Sequence, residues 1–249
     1  MIPRALNFVK AEPWPASAVK VPRWQAHRGF WSAGFQENTI PAFRAAKAAG
    51  FQMAELDVQL TKDHQVVVFH DEDLRRLGGG RSTRVRDLTA AELGRLCQAP
   101  LLREVLLDAQ GVASVNIEIK APLSNAGKIE PLVAQVIQDS HAEGRVMISS
   151  FNPLSLVLMA ELLPQVPRAL LATDRLEPGN SFLLRHLMLA PFLRIHALNL
   201  EAEMVTPDVV SLLRAREIPF SLWTVDDRPK ADMLLDGGAQ SVITNQKLF

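Results

Sequence analysis

The chain contains no tyrosine and one cysteine, Cys97. The first absence removes any phenolic acid from a catalytic scheme. The second excludes an intrachain disulfide and a cysteine-rich zinc site, and leaves Cys97 as a small buried apolar side chain. Net charge is missing too: Lys plus Arg and Asp plus Glu each number 27, so no basic excess points to nucleic acid or an anionic membrane. No run approaches the ~18 apolar residues of a membrane span. The opening Met-Ile-Pro-Arg-Ala-Leu-Asn-Phe-Val-Lys lacks the apolar core of a signal peptide, so the expectation is a soluble, cytoplasmic protein. Gly78-Gly79-Gly80-Arg81 is followed by no Gly-Lys-Ser/Thr and reads as a turn, not a phosphate loop. Ser149-Ser150 lacks a nucleophile elbow.

What is present is a regular alternation. With 249 residues, 48% apolar and 22% charged, the chain can bury a sizeable core as one large α/β domain or two small ones. Residues 1–21 are proline-rich without a period and read as an N-terminal arm. Strand candidates follow near 24–27, 53–58, 115–119, 146–149, 168–172, 195–200, 219–224 and 241–244. Between them lie helix signals: Thr39 with Pro41, the capping box Thr89 to Glu92, an apolar segment 101–107, and a helix at 129–140. Asn152-Pro153, a segment 183–193, Thr206-Pro207 and a last helix stopped at Gly237-Gly238 complete the series. Eight strands separated mostly by helices predict a (β/α)8 TIM barrel over residues 22–249, with a β-hairpin extension after the second strand.

The hairpin lies in residues 52–71. Glu55 and Asp57 are two apart in a strand, so their carboxylates share a face and together suit a hard cation such as Mg²⁺ or Ca²⁺. After the turn Thr61-Lys62-Asp63-His64, the run Val66 to Phe69 leads into His70-Asp71. Antiparallel pairing of 60 with 65 sets 57 opposite 68 and 55 opposite 70, bringing His70 beside Glu55; a one-residue slip changes this. Taken alone, the stretch reads more simply as a surface strand with two solvated acids.

The neighbours change that balance. His27 and Arg28 end the first strand, Glu118 and Lys120 repeat the two-residue spacing in the third, and Trp223 ends the seventh. Ionised groups directed into a barrel are costly unless paired or metal-bound, so three acids, two cations and two histidines at one mouth are poorly explained as packing. His64, His141, His186 and His196 read as surface or core residues.

The motifs His27-Arg28-Gly29, Glu37-Asn38-Thr39 with Ala42-Phe43, Glu55-x-Asp57, Thr61-Lys62-Asp63 and His70-Asp71 resemble those of the glycerophosphodiester phosphodiesterases. So do Asn116-Ile-Glu118-Ile-Lys120, Ser149-Ser150-Phe151-Asn152-Pro153, Trp223-Thr224-Val225 and Val242-Ile243-Thr244. The resemblance spans roughly residues 22–245 in order. It implies a phospholipase-C-like barrel, one divalent cation (Mg²⁺ or Ca²⁺), and hydrolysis of a small glycerophosphodiester to glycerol 3-phosphate and an alcohol. By the same resemblance, Glu55, Asp57 and Glu118 match the metal carboxylates and His27 and His70 the acid–base pair. Arg28 and Lys120 match phosphate-binding cations, and Trp223 and Glu37 match residues at the substrate pocket. The chemistry is consistent: charge concentrates on the non-bridging oxygens during attack on phosphorus, and one imidazole must take a proton while another returns one. The residues do not divide those roles; the working assignment is His27 as base and His70 as leaving-group acid.

Three departures from the family pattern stand out: His64 where the turn has glycine, Arg76-Leu77-Gly78-Gly79-Gly80 after His70-Asp71 where threonines precede the glycines, and Thr244-Asn245-Gln246-Lys247 for Thr-Asp-x-Pro. Competing readings are a lysophospholipase-D-type enzyme, with Phe30, Trp31 and Phe35 shaping an acyl groove, and a silent barrel that binds phosphorylated ligands. A metallo-amidohydrolase lacks support, since no His-x-His lies on the first strand.

Overall fold

The computed structural model describes residues 4–122, 126–175 and 187–249. The strands are β1 (Trp24–Ala26), β2 (Met53–Leu60), β3 (Val66–Val68), β4 (Ser114–Ile119), β5 (Val146–Ser150), β6 (Arg168–Ala172), β7 (Ala197–Glu201), β8 (Phe220–Trp223) and β9 (Ser241–Thr244). All ladders but one are parallel, and the order β1-β9-β8-β7-β6-β5-β4-β2 closes on itself through a β1–β2 pairing. This is the eight-stranded barrel that the alternation predicts, and β3 is the hairpin return, antiparallel to β2.

The helices coincide with their sequence signals. Helix α1 (Ile40–Ala48) follows Thr39 and carries Pro41 in its first turn. The capping box at Thr89 and Glu92 forms at α2 (Ala90–Cys97), and the apolar segment forms α3 (Leu102–Leu107). Next come α4 (Glu130–Asp139) and α5 (Pro153–Leu162), the latter capped by the Asn152 side chain. Helices α6 (Pro207–Ala215) and α7 (Arg228–Asp236) complete the ring. Of the expected helix at 183–193, residues 183–186 lie outside the described residues; beyond them only a 3-10 turn, Ala190–Phe192, is present. No described helix is long and apolar enough to cross a membrane.

Strand periodicity sorts the side chains. Ala54, Leu56 and Val58 join the large core between barrel and helices, while the alternate residues Met53, Glu55 and Asp57 point inward. The interior is layered. At the N-terminal ends of the strands Met53, Met147, Ala169 and Ala197 pack on Val19, with Trp14 and Val21 against them. The N-terminal arm therefore stoppers the floor of the barrel, at the end opposite the polar mouth. Trp14 Nε1 donates to the carbonyl of Val19 at 2.9 Å, and the Glu12 amide donates to that of Ile195 at 2.7 Å. Above lies a polar layer, in which Asn116 donates to Gln25 at 3.2 Å and Gln25 to Ser241 at 3.0 Å. The charged residues form the top.

The hairpin register differs by one residue from the sequence expectation: Leu60 pairs with Val66, and Val58 with Val68. The cause is the turn. The Thr61 amide donates to Gln65 O at 3.1 Å, and the Thr61 hydroxyl and Asp63 carboxylate are hydrogen-bonded at 2.6 Å. His64 takes the left-handed conformation (φ 58°) that the family's glycine would adopt freely. The loop thus keeps its glycine-type geometry, and Gln65, counted above as a paired strand residue, belongs to the turn.

Candidate active site

Position on β2 explains how distant residues meet. One edge of β2 pairs with β4, setting Asp57 beside Glu118 and Glu55 beside Asn116. The other edge is shared: β1 occupies Met53 and Ala54, and β3 occupies Val58 to Leu60. His27 follows β1 and His70 follows β3, so the two histidines approach Glu55 and Asp57 from opposite directions along one edge. The slipped register leaves His70 nearer Asp57 than the sequence reading placed it. Its Nδ1 meets a carboxylate oxygen of its neighbour Asp71 at 2.6 Å, rather than Glu55.

The three acids are 4%, 1% and 8% exposed for Glu55, Asp57 and Glu118. One oxygen from each lies within 4.8 Å of the others. Their surroundings differ. Lys120 Nζ is 3.2 Å from Asp57 and 2.9 Å from Glu118, and Arg28 Nε is 3.4 Å from Asp57. Asn38 donates to Asp57 at 2.8 Å. Although burial opposes its ionisation, Lys120, His70, Arg28 and Asn38 hold the Asp57 carboxyl below the ordinary carboxylate range. Glu55 has less support, the Arg28 amide donating at 3.1 Å. Burial, then the neighbouring Asp57 and Glu118 charges, push its pKa well up. A buried anionic set of this kind, all oxygen donors and with repulsion left over, fits a hard divalent cation.

Local backbone delivers Arg28. It sits at φ 55° and Gly29 at φ 80°, and a Cβ on Gly29 would meet Ala42 at 2.9 Å. The chain thereby folds back on α1, with the Phe30 amide donating to Ala42 O at 2.9 Å. The Glu37 carboxylate does not line the cavity, although the sequence set it at the pocket. It stands behind Arg28, 2.9 Å from its guanidinium, because its second face is taken by Arg76 at 2.6 and 2.7 Å. Arg76 also grips Asp71 at 2.7 and 3.0 Å, so one guanidinium ties the partner of Arg28 to the partner of His70.

Several supporting residues escaped sequence reasoning. Asn38, left-handed at φ 57°, lay inside the quoted Glu-Asn-Thr motif. Arg76 followed His70-Asp71, but only as part of a departure. Gln59 donates to the carbonyls of Phe69, His70 and Asp71 at 2.9, 3.1 and 2.7 Å, clamping the segment that aims His70. Asp226 joins them through Asn245, whose Oδ1 lies 2.8 Å from His27 Nδ1. Burial, then the Arg28 charge, lower the His27 pKa to about 4.

The mouth opens into a cavity of about 290 Å³ lined by His27, Arg28, Glu55, His70, Lys120 and Trp223, among others. Trp223 donates to Asn199 O at 3.0 Å and meets Phe151 edge-on at 5.6 Å. Beside Trp223 on the adjacent strand, Glu201 is bonded to Thr173 and Arg175. Phe30 and Trp31, the acyl groove of the competing reading, do not line this cavity. Phe30 turns against Phe51 at 5.7 Å, and Trp31 Nε1 donates to Asn245 at 3.1 Å. Phe35 is exposed. His64 and His141 are exposed and His196 buried; His186 lies outside the described residues.

Known proteins resemble this chain in sequence and in fold. The model of the glycerophosphoryl diester phosphodiesterase family matches residues 27–247. A glycerophosphodiester phosphodiesterase of Bacillus altitudinis is 33% identical over 234 residues, covering 88% of this chain and 93% of its own. One of Caldanaerobacter subterraneus is 33% identical over 236 residues, covering 88% and 92%. Among solved structures, a glycerophosphodiester phosphodiesterase of Thermotoga maritima superposes with TM-score 0.71 at 28% identity, covering 92% of this chain and 96% of its own. A phosphodiesterase of Oleispira antarctica, solved with sn-glycerol-3-phosphate, shares the fold with TM-score 0.77 at 23% identity, covering 90% and 93%.

Proposed function

The chain belongs to the glycerophosphoryl diester phosphodiesterase family, and from that premise we propose that it hydrolyses small glycerophosphodiesters to glycerol 3-phosphate and an alcohol. The observation that carries the reading is a cluster of three buried carboxylates, Asp57 behind Glu55 and Glu118, at a cavity that two cationic side chains and two histidines also line. The 33%-identical relatives bear the name of the same activity.

Glu55, Asp57 and Glu118 would hold a divalent cation, which supplies Lewis-acid stabilisation of phosphoryl oxygens when bound. Arg28 and Lys120 orient the diester and neutralise charge on its non-bridging oxygens. His27 presents Nε2 to the cavity as the base, taking the proton of the attacking oxygen, which is water or the substrate's own glycerol hydroxyl. In the second case a cyclic phosphate forms first and water then opens it. His70, with Asp71 on Nδ1, returns a proton to the departing alkoxide, and the carboxylate stabilises the imidazolium that donates it. Phe151 and Trp223 offer an apolar wall to the organic part of the substrate.

The test measures glycerol 3-phosphate released from glycerophosphocholine and glycerophosphoethanolamine with Mg²⁺, with Ca²⁺ and with a chelator. Metal-dependent release, lost in His27→Ala and Glu55→Ala, is the expected result. No release from folded protein with either metal would overturn it. Cleavage of lysophospholipids alone would transfer the site to that substrate class, and binding without turnover would leave a phosphate-ligand barrel.

A further inference from the structure

We infer that Asn245, locked by Asp226, is a positioning residue that fixes the tautomer of His27 and so decides which ring nitrogen faces the substrate. The inference rests on the reading of His27 as an acid–base residue in the proposed hydrolysis.

The hydrogen bonds around Asn245 leave one arrangement. Its Nδ2 lies 2.7 Å from Asp226 Oδ2, and its backbone amide donates to Asp226 Oδ1 at 2.7 Å. The Thr244 hydroxyl donates to the same Oδ1 at 2.9 Å. A carboxylate only accepts, so the amide nitrogen must face Asp226 and the amide oxygen must face away. On that far side lies the Trp31 indole, a donor with no accepting atom, at 3.1 Å from Oδ1. The two neighbours therefore set the amide independently and in the same sense. The remaining lobe of Oδ1 meets His27 Nδ1 at 2.8 Å. An amide oxygen cannot donate, so Nδ1 carries the hydrogen, and in the neutral ring Nε2 keeps its lone pair. Nε2 is the nitrogen directed at Glu55, 4.0 Å away, and at the cavity. Free imidazole does not enforce this form; the chain Asp226–Asn245–His27 does. The Ser32 hydroxyl, donating to Asn245 O, fastens the residue from the remaining side.

A reversal of the relay separates positioning from packing. In Asp226→Asn the new Oδ1 still accepts from Thr244 and the Asn245 amide, so its NH2 confronts the Asn245 side chain. Trp31→Phe is added to remove the indole N–H, which would otherwise still hold the amide oxygen in place; the Asn245 side chain then turns its oxygen toward residue 226 and its NH2 toward His27, so that Nδ1 accepts and Nε2 carries the hydrogen. The double variant Asp226→Asn/Asn245→Asp restores an accepting oxygen to His27 with the same total charge.

The experiment is ¹⁵N NMR of the histidine-labelled 249-residue chain in chelator, with the His27 signals assigned by their loss in His27→Gln, alongside steady-state kinetics on glycerophosphocholine. Wild type is expected to show protonated Nδ1 and lone-pair Nε2. Trp31→Phe alone is expected to keep these signatures. Trp31→Phe/Asp226→Asn is expected to exchange them and lose about 100-fold or more in kcat with KM little changed, the scale of a misplaced acid–base group. Asp226→Asn/Asn245→Asp is expected to recover the wild-type signature and kcat to within about tenfold. A wild-type ring protonated on Nε2, or a signature that survives Trp31→Phe/Asp226→Asn in folded protein, overturns the assignment. So does Asp226→Asn/Asn245→Asp if it folds but shows the exchanged signature. If wild type turned over no glycerophosphodiester, the proposed function would fail, while tautomer reversal would still support the relay.

Discussion

Nε2 of His27 lies 4.0 Å from Oε2 of Glu55, and the parallel ladder dictates that approach. Ala26 is registered with Ala54, so the next residues of the two strands face each other where β1 stops. From the other end of the same edge, the Phe69 amide donates to Asp57 O at 2.9 Å, leaving His70 beyond it. The site is assembled by one strand edge divided between two partners.

Glu55 carries the unrelieved repulsion of the acidic set. Glu55→Gln should leave the Tm of the metal-free protein unchanged or raised. The Tm increase given to wild type by Mg²⁺ or Ca²⁺ should disappear, because binding to the native state alone is what produces it. Calorimetry with cation and with chelator reads both effects, and a full metal-induced rise in the variant would remove Glu55 from the ligand set.

Arg76 joins Glu37 to Asp71, and so supports Arg28 and His70 at once. Arg76→Met should lower kcat/KM about 10- to 100-fold, the scale of one or two charge-assisted hydrogen bonds. Stability should change little, since the side chain is nearly half exposed. Kinetics combined with urea unfolding tests the split; unchanged kcat/KM would make the bridge ornamental.

His196 lies at the barrel floor, its Nδ1 accepting from the Arg168 amide at 3.1 Å. Burial, then the Arg168 charge, lower its pKa to about 4 from 6.5. Between those values the unfolded chain binds a proton that the native one does not, so stability rises with pH and is lost as pH falls through this window. At ~1.4 kcal/mol per unit the loss is on the order of 3 kcal/mol. His196→Asn keeps an acceptor for the Arg168 amide and should reduce, without abolishing, the difference between urea midpoints at pH 7 and pH 4.5, since His27 shares the lowered pKa. An unaltered difference would place the proton uptake elsewhere.

Phe249 stacks on Trp24 at 5.7 Å and meets Phe51 edge-on at 5.0 Å, fastening the C-terminus beside β1. Phe249→Ala should destabilise the fold by about 1–2 kcal/mol with kcat unchanged. Chemical denaturation and a turnover assay together check this.

The barrel was legible because strand runs and helix caps recur locally: Thr89 with Glu92, Asn152 with Pro153, and the run Ser114–Ile119 each announce their element. The two-residue spacings of Glu55 with Asp57 and Glu118 with Lys120 announced a shared face. What stayed hidden depends on register and on contacts between loops. Thr61 and Gln65 closed the turn one residue wider than the count allowed. Arg76 gains its meaning only when the hairpin returns it to Glu37, 39 positions away. Asn245 was visible as a substitution, but Asp226 and Trp31, which give the amide its direction, lie in two other loops.

The stopper formed by Val19 and its neighbours beneath Met53 and Ala197 makes the barrel a blind alley. Among the described residues the floor is filled, so traffic to the site runs through the charged end. A turnover cycle in such a vessel ends only when the last product has cleared the way for its successor. Trimming the chain at Trp14 or Val19 would turn the alley into a through-passage, admitting solvent beneath the polar layer from the wrong side.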